Sequence, residues 1–370
     1  MKRFCIFACI LCLLLPAAAM AAASASAPAF DPALAQDALD IAGLCYLPSI
    51  QASILRIRGF EQTGVYHYDR EDETMKHVAS YCVYHRLAED GHSRVIIAIR
   101  GTGEGEWALN MDLMPSGDYT QPEAENFALA AEEILSAQSA FFSTLESPEF
   151  LVTGHSRGAA VANVLGARLT DLYGAEHVLA YTFATPRTVR GNMPAYGNIF
   201  NIIHPADIVT FLPLPAWGFS RYGTDLILDV ENAALYPAAE KAYLARSDAA
   251  GSFDMVQGDT KALKDTLAAL EQFAPSVDMA YTVRHALTHP GPAQAGEDGI
   301  TAADFLLMLM NGSSADLASL AQSENDFSQF LLIFQSGMPL ITGVHLPASY
   351  GAWLSAMFPE ADAALPQNQP

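Results

Sequence analysis

Hydrophobic and polar positions follow several spacings along this chain, and each predicts a different element. Residues 31–58 carry Leu34, Ala38, Ile41, Ala42 and Cys45 at helical spacing, which predicts one N-terminal helix packed on a core. Segments 64–68, 77–87 and 94–100 read as strands. The second partly alternates, as a half-exposed strand would. The third contains Val95-Ile96-Ile97-Ala98-Ile99, a continuous apolar run expected of a strand covered on both faces. Residues 69–76 between the first two are a polar, charged turn. Residues 122–145 predict a long helix with Glu123, Glu125, Glu132 and Glu133 on its wet side. An apolar run from Phe150 then leads into Gly154-His155-Ser156-Arg157-Gly158, with a helix over 159–173 behind it. Apolar strands at 178–185 and 198–203 follow. Strands alternating with helices predict a mainly parallel sheet covered on both sides, an α/β architecture.

From about residue 231 the pattern changes. Segments 232–246, 259–273, 302–310, 315–323 and 327–335 read as helices separated by Gly-, Pro- and Ser-rich joints. Residues 341–345 read as the last core strand, and a helix is expected over 351–358. These boundaries predict a core over 28–230, a helical cap inserted over 231–338, and a final strand and helix over 339–358. The acidic, Pro-rich tail over 359–370 is expected to be disordered. Two runs inside the insertion, Phe305-Leu306-Leu307-Met308-Leu309-Met310 and Phe330-Leu331-Leu332-Ile333-Phe334, are too apolar for one face of a solvated helix. They supply the cap's own core, or a lid surface that receives an apolar chain; both can hold in part.

The N-terminus changes the picture of where the protein works. Lys2 and Arg3 precede an apolar run from Phe4 to Leu15, then Pro16 and an Ala/Ser tract to Ala27, the layout of a signal peptide over 1–27. The run is short for a membrane span, so the mature chain is expected to be secreted or periplasmic without a transmembrane segment. Cys5, Cys9 and Cys12 leave with the signal. Cys45 and Cys82 remain, as one disulfide or as two buried thiols. Without Lys2 and Arg3, 17 of the 19 basic residues face all 41 acidic ones, a net charge of −24. Such a surface repels nucleic acid and anionic membranes at long range.

The chemistry centres on Gly154-His155-Ser156-Arg157-Gly158, which has the form G-x-S-x-G between a strand and a small-residue helix. The turn is too tight for flanking side chains, and it lifts the Ser156 hydroxyl to a helix N-terminus, where backbone N–H groups favour negative charge. Ser156 is the candidate nucleophile. A serine needs a histidine to accept its proton, and that histidine needs an acid to orient it. Asp207, directly after the strand at 198–203, is the candidate acid; Asp225 and Asp229 are rivals. His345 is the candidate base, at the end of the last strand with a helix behind it, and His289 and His285 are the alternatives. His155 is expected to face away as a structural residue, and His204 to orient the Asp207 loop. No Cys/His cluster has metal-site spacing, and neither a P-loop nor a dinucleotide fingerprint is present, so no cofactor or metal is implied.

Five stretches in order resemble the class 3 lipase family of α/β hydrolases, especially its bacterial members. They are Ile99-Arg100-Gly101-Thr102 with Glu106, Trp107 and Asn110; the Ser156 turn with Ala159 and Ala160; Tyr181-Thr182-Phe183-Ala184-Thr185-Pro186-Arg187; the segment around Pro205-Ala206-Asp207-Ile208-Val209; and His345 with Tyr350. Together they span about residues 40–225 and 340–358. The resemblance implies an α/β-hydrolase fold, Ser156, Asp207 and His345 as a triad, and an oxyanion hole from the N–H groups of Thr102 and Arg157. Arg157 stands where many lipases carry a smaller residue, and the insertion has no counterpart in the resemblance.

The resulting expectation is a secreted serine hydrolase that cleaves carboxylic esters of lipids, triacylglycerol lipase-like or phospholipase-like, through an acyl-enzyme. The alternatives are an exported binding or effector module with little turnover, and an esterase for small esters.

Overall fold

The computed structural model describes residues 28–68, 78–101, 122–191, 193–246, 248–249, 252–273 and 343–364. The expected signal peptide, Thr102, His285, His289 and both apolar runs of the insertion lie outside the described residues.

The N-terminal stretch forms two helices, α1 (Pro32–Leu44) and α2 (Pro48–Ile57), where the sequence pattern predicts one. Pro48 is the reason. It has no N–H to donate, and its ring would clash with the carbonyl of Leu44 in a continuous helix, so the helix stops and restarts with Pro48 in its first turn. Asp31 starts α1 by accepting bonds from the N–H groups of Ala33 and Leu34. Strands β1 (Glu61–Tyr66), β2 (Tyr81–Leu87) and β3 (Ser93–Ile99) follow, then α3 (Glu125–Phe142), β4 (Pro148–His155) and α4 (Arg157–Tyr173). Next come β5 (Val178–Phe183), β6 (Ile199–Ile203) and β7 (Thr224–Ile227).

These seven strands form one sheet in sequence order. β1, β2 and β3 pair antiparallel, and β3 through β7 pair parallel. The parallel strands are apolar throughout because both sides are covered. Residues of α3 and α4 pack with Val95, Ile97, Ile99, Phe150 and Val152 on one side. Residues of α1 and the later helices pack with Tyr181, Phe183, Phe200 and Ile202 on the other. Gly166 of α4 lets that helix lie close to the sheet, since a Cβ there would sit 2.9 Å from the Cβ of Ala180.

The C-terminal part departs from the sequence pattern in three places. Of the strand expected over 341–345, Gly343, Val344 and His345 form a turn while 341–342 lie outside the described residues, and among the described residues β7 stands last in the sheet. Helix α5 (Tyr236–Ala245) lies within the expected insertion, but its Ala239 and Tyr243 are buried in the core beside Trp353. It is followed by the short helix Asp254–Gln257 and by α6 (Thr260–Phe273). The final helices are α7 (Pro347–Met357) and α8 (Pro359–Ala364), the latter in a tail expected to be disordered. Ala361 of α8 is buried, and the ring of Phe358 just before it packs tilted against that of Phe30, so apolar contacts hold the first part of the tail. Cys45 and Cys82 are free, buried thiols, and burial raises the pKa of both.

Candidate active site

The site grows out of the end of β4. Ser156 sits between β4 and α4 with φ 57° and ψ −126°, a left-handed backbone that a non-glycine residue adopts only under constraint. The constraint comes from both sides. The Ser156 N–H donates to the carbonyl of Phe183 at 2.9 Å, and Ala160 N–H returns to the Ser156 carbonyl at 3.2 Å. Gly154 and Gly158 make the turn possible. A Cβ at Gly154 would collide with the backbone of Gly158, and one at Gly158 would collide with the carbonyls of Ile99 and Arg100.

Asp207 lies four residues past the end of β6 and caps a short 3-10 turn, Ile208–Phe211, by accepting from the Val209 N–H at 3.0 Å. Its other oxygen, Oδ2, accepts from His345 Nδ1 at 2.8 Å and from the Tyr350 hydroxyl at 2.7 Å. His345 Nε2 stands 2.8 Å from Ser156 Oγ. Because Nδ1–H donates to the carboxylate, Nε2 presents its lone pair to the serine hydroxyl. Asp207 is fully buried. Burial alone would raise its pKa, but the adjacent His345, the hydrogen bond from its ring and the Tyr350 hydroxyl together lower it below the ordinary value. Its rivals are engaged elsewhere: Asp225 accepts from Asn201 and Arg221, and Asp229 from Asn232.

His155 and His204 hold this arrangement. The ring of His155 does not simply face away, because its Nε2–H donates to the carbonyl of His345 at 2.6 Å. Burial and the neighbouring His345 push its pKa down to about 3, so it is a neutral prop. His204 Nδ1 accepts from the Ala206 N–H at 3.2 Å, which shapes the turn leading into Asp207 as the sequence suggests. Its Nε2–H donates to the carbonyl of Val256 at 3.2 Å, and burial lowers its pKa to about 4. The same Val256 carbonyl accepts from Ser349 Oγ and Trp353 Nε1. Residues 253–258 therefore brace the acid loop and the histidine helix together, although the sequence pattern assigns them to an outlying cap. The residue that sequence reasoning left without a role is Tyr350. The available signal was the resemblance, which pairs Tyr350, in the first turn of α7, with His345.

Arg157 occupies the first position of α4, so its backbone N–H belongs to the exposed end of the helix dipole. Its side chain is buried and donates to the carbonyl of Val78 at 3.2 Å and to Asn126 Oδ1 at 3.4 Å. A long residue thus fits here by reaching away from the serine and tying the turn to α3. Thr102, the other expected oxyanion donor, lies just beyond the last described residue of its loop, Gly101. Among the described residues no group of three or more His, Cys, Asp or Glu could hold a metal ion. A cavity of about 630 Å³ lined by Leu34, Ile41, Leu55, Phe60, Leu151 and Leu179 opens at the amino-terminal ends of β3, β4 and β5. It lies at the opposite end of the strands from Ser156 and is no part of this site.

A sheet in sequence order with helices on both sides, and a nucleophile turn between a central parallel strand and its helix, define an α/β hydrolase. The lipase (class 3) family matches residues 96–217 of this chain, which is related to class 3 lipases over that segment. A secreted mono- and diacylglycerol lipase A of Penicillium cyclopium is 28% identical over 170 residues, which are 41% of this chain and 52% of that protein. The protein of the same name from Penicillium camembertii matches to the same extent. The chain thus spans about half the length of these curated relatives, both of them fungal. The crystal structure of a lipase from Rhizopus microsporus var. chinensis aligns with a TM-score of 0.42 at 15% identity, covering 55% of this chain and 80% of that one.

Proposed function

We propose that the protein is an exported serine hydrolase that cleaves carboxylic esters of lipids through an acyl-enzyme. One observation carries this reading: an unbroken hydrogen-bonded path from Ser156 Oγ through the His345 ring to the buried Asp207 carboxylate. As Oγ attacks the ester carbonyl carbon, its proton passes to His345 Nε2. The imidazolium is stabilised by Asp207, which stays ionised because three donors converge on its carboxylate. The carbonyl oxygen becomes an oxyanion, held by the N–H of Arg157 at the start of α4 and by Thr102. His345 returns the proton to the departing alcohol. Water, deprotonated by the same nitrogen, then attacks the acyl-enzyme and releases the carboxylic acid. The class 3 lipase match over 96–217 and the secreted mono- and diacylglycerol lipase relatives support lipid esters as the substrate class and export as the destination.

The test is intact mass after treatment with a fluorophosphonate, with Ser156→Ala alongside. One adduct on the wild type and none on the variant are expected, together with a loss of ester hydrolysis of at least about 10⁴-fold in kcat. Full hydrolysis by the variant would overturn the assignment. A chain-length series of nitrophenyl esters then separates lipids from small esters: octanoyl is expected to be preferred over acetyl.

A further inference from the structure

Helix α2 has two apolar faces, one buried and one exposed. Gln51, Ala52 and Leu55 turn inward and are buried. Leu47, Ile50, Ile54 and Ile57 turn outward and are 54%, 49%, 37% and 88% exposed. With about 100° of turn per residue, these four fall within an arc of about 80°, one continuous aliphatic stripe along the helix. Tyr46, 40% exposed, extends it towards the site. The end of the helix that carries Tyr46 lies against the candidate active site: a Cβ on Gly101 would collide with the Tyr46 hydroxyl and come within 2.8 Å of the His155 carbonyl. The stripe thus begins where the serine turn ends.

Its charge is as unusual as its exposure. Residues 46–60 contain Arg56 and Arg58 and no Asp or Glu, in a chain of net charge −22. Arg58 is paired with Asp37 at 3.0 Å, and Arg56 is exposed in the last turn of the helix. This stretch combines four exposed aliphatic side chains with the absence of acidic ones. Its aliphatic area is on the order of 400 Å², the size of the largest apolar patch on a typical monomer, which is often a functional surface. That is about half of the area one partner buries in a stable protein interface. The size suits a helix resting in a lipid surface better than a seat for a second copy.

We infer that the outward face of α2, Leu47, Ile50, Ile54 and Ile57, is the surface by which this protein adsorbs to a lipid–water interface, with the Ser156 site at its Tyr46 end. The inference rests on the proposed lipid-ester hydrolysis, since an enzyme on insoluble esters must work where they collect. Adsorption by this face lays α2 along the interface and keeps the acidic remainder in water. Zwitterionic lipid is the expected partner, because the net negative charge opposes anionic headgroups.

The experiment compares wild type with Ile50→Asp/Ile54→Asp in flotation with phosphatidylcholine vesicles, alongside hydrolysis of a water-soluble acetyl ester and of an emulsified long-chain ester. Both positions are exposed, so the variant is expected to melt with the wild type. Its partitioning should fall by about tenfold or more, and its rate on the emulsion should fall in step. Its kcat/KM on the soluble ester should stay unchanged. Equal partitioning of the two proteins would overturn the inference, as would a wild type that does not float. Sedimentation showing a wild-type dimer that the variant splits would assign the face to a second copy instead. Loss of the proposed function has a different signature: neither ester is cleaved while partitioning still depends on Ile50 and Ile54.

Discussion

Tyr350 shows how much one hydroxyl can contribute at a buried carboxylate. It supplies one of three donors to Asp207, and the other two are the His345 ring and the Val209 N–H. A hydrogen bond to a charged group contributes about 1.5–3 kcal/mol, and here part of that holds the carboxylate in the orientation that His345 needs. Tyr350→Phe keeps the ring and removes only the donor. The expected result is a fall in kcat of about tenfold with KM little changed, a split that steady-state kinetics on a soluble ester resolves. An unchanged kcat would mean that His345 and Val209 suffice to orient Asp207. At this scale the sequence was legible where chemistry is local. Ser156 and Asp207 were legible as candidates from their positions after strands and His345 from the helix behind it, whereas the bond from His155 to the His345 carbonyl joins residues 190 apart and has no sequence signature.

The β4–turn–α4 unit is where local sequence dictates local structure most strictly. Both glycines are required by contacts with backbone atoms, which cannot swing aside as a flexible side chain can. Gly158→Ala would press a methyl group against the carbonyls of Ile99 and Arg100 and force α4 away from the end of β3. That shift moves the Arg157 N–H and the Ser156 hydroxyl together. The expected outcome is a protein that retains its far-ultraviolet circular dichroism but loses fluorophosphonate labelling by about 10²-fold or more in rate, the scale of losing one oxyanion donor. Labelling at the wild-type rate would show that the turn has slack. Other elements were less legible. The break between α1 and α2 follows from Pro48, which the apolar spacing of 31–58 conceals. The turn at Gly343–His345 resembles a strand in composition because its residues are buried, and burial rather than pairing accounts for its apolar character.

Acid stability belongs to the whole molecule, because the groups that set it are buried between elements from both ends of the chain. His204 and His155 are fully buried, with pKa values near 4 and 3 against an ordinary 6.5. An unfolded chain therefore binds protons at these sites between about pH 6.5 and 4 while the folded one does not. Stability must be fully present above about 6.5 and decline as pH falls through that window. Asp207, with its lowered pKa, extends the decline below the ordinary aspartate range. From pH 7 to 5, His204 alone accounts for about 2 kcal/mol at one to two units of titration. His204→Gln offers an amide in place of the ring and cannot titrate. Its urea midpoint should fall less between pH 7 and 5 than that of the wild type, and equal falls would locate the acid sensitivity elsewhere. The arrangement also explains why residues 253–258 belong to the core. The Val256 carbonyl takes bonds from His204, Ser349 and Trp353, so the acid loop and α7 meet on it.

The sequence by itself determined the central strands, the turn at Ser156 and the nature of the chemistry. Continuous apolar runs mark strands covered on both sides, and a serine between two glycines, after a strand and before a small-residue helix, has one conformation available to it. Those are short-range effects of sterics, hydrogen bonding and burial, and they act between neighbours along the chain. Only the tertiary structure decided which carboxylate and which histidine meet the serine, and which props hold them. The meeting of Ser156, Asp207 and His345 spans 189 residues. The order of the strands and the packing of α5, residues 253–258 and α7 bring those groups to one place, and no local pattern encodes it.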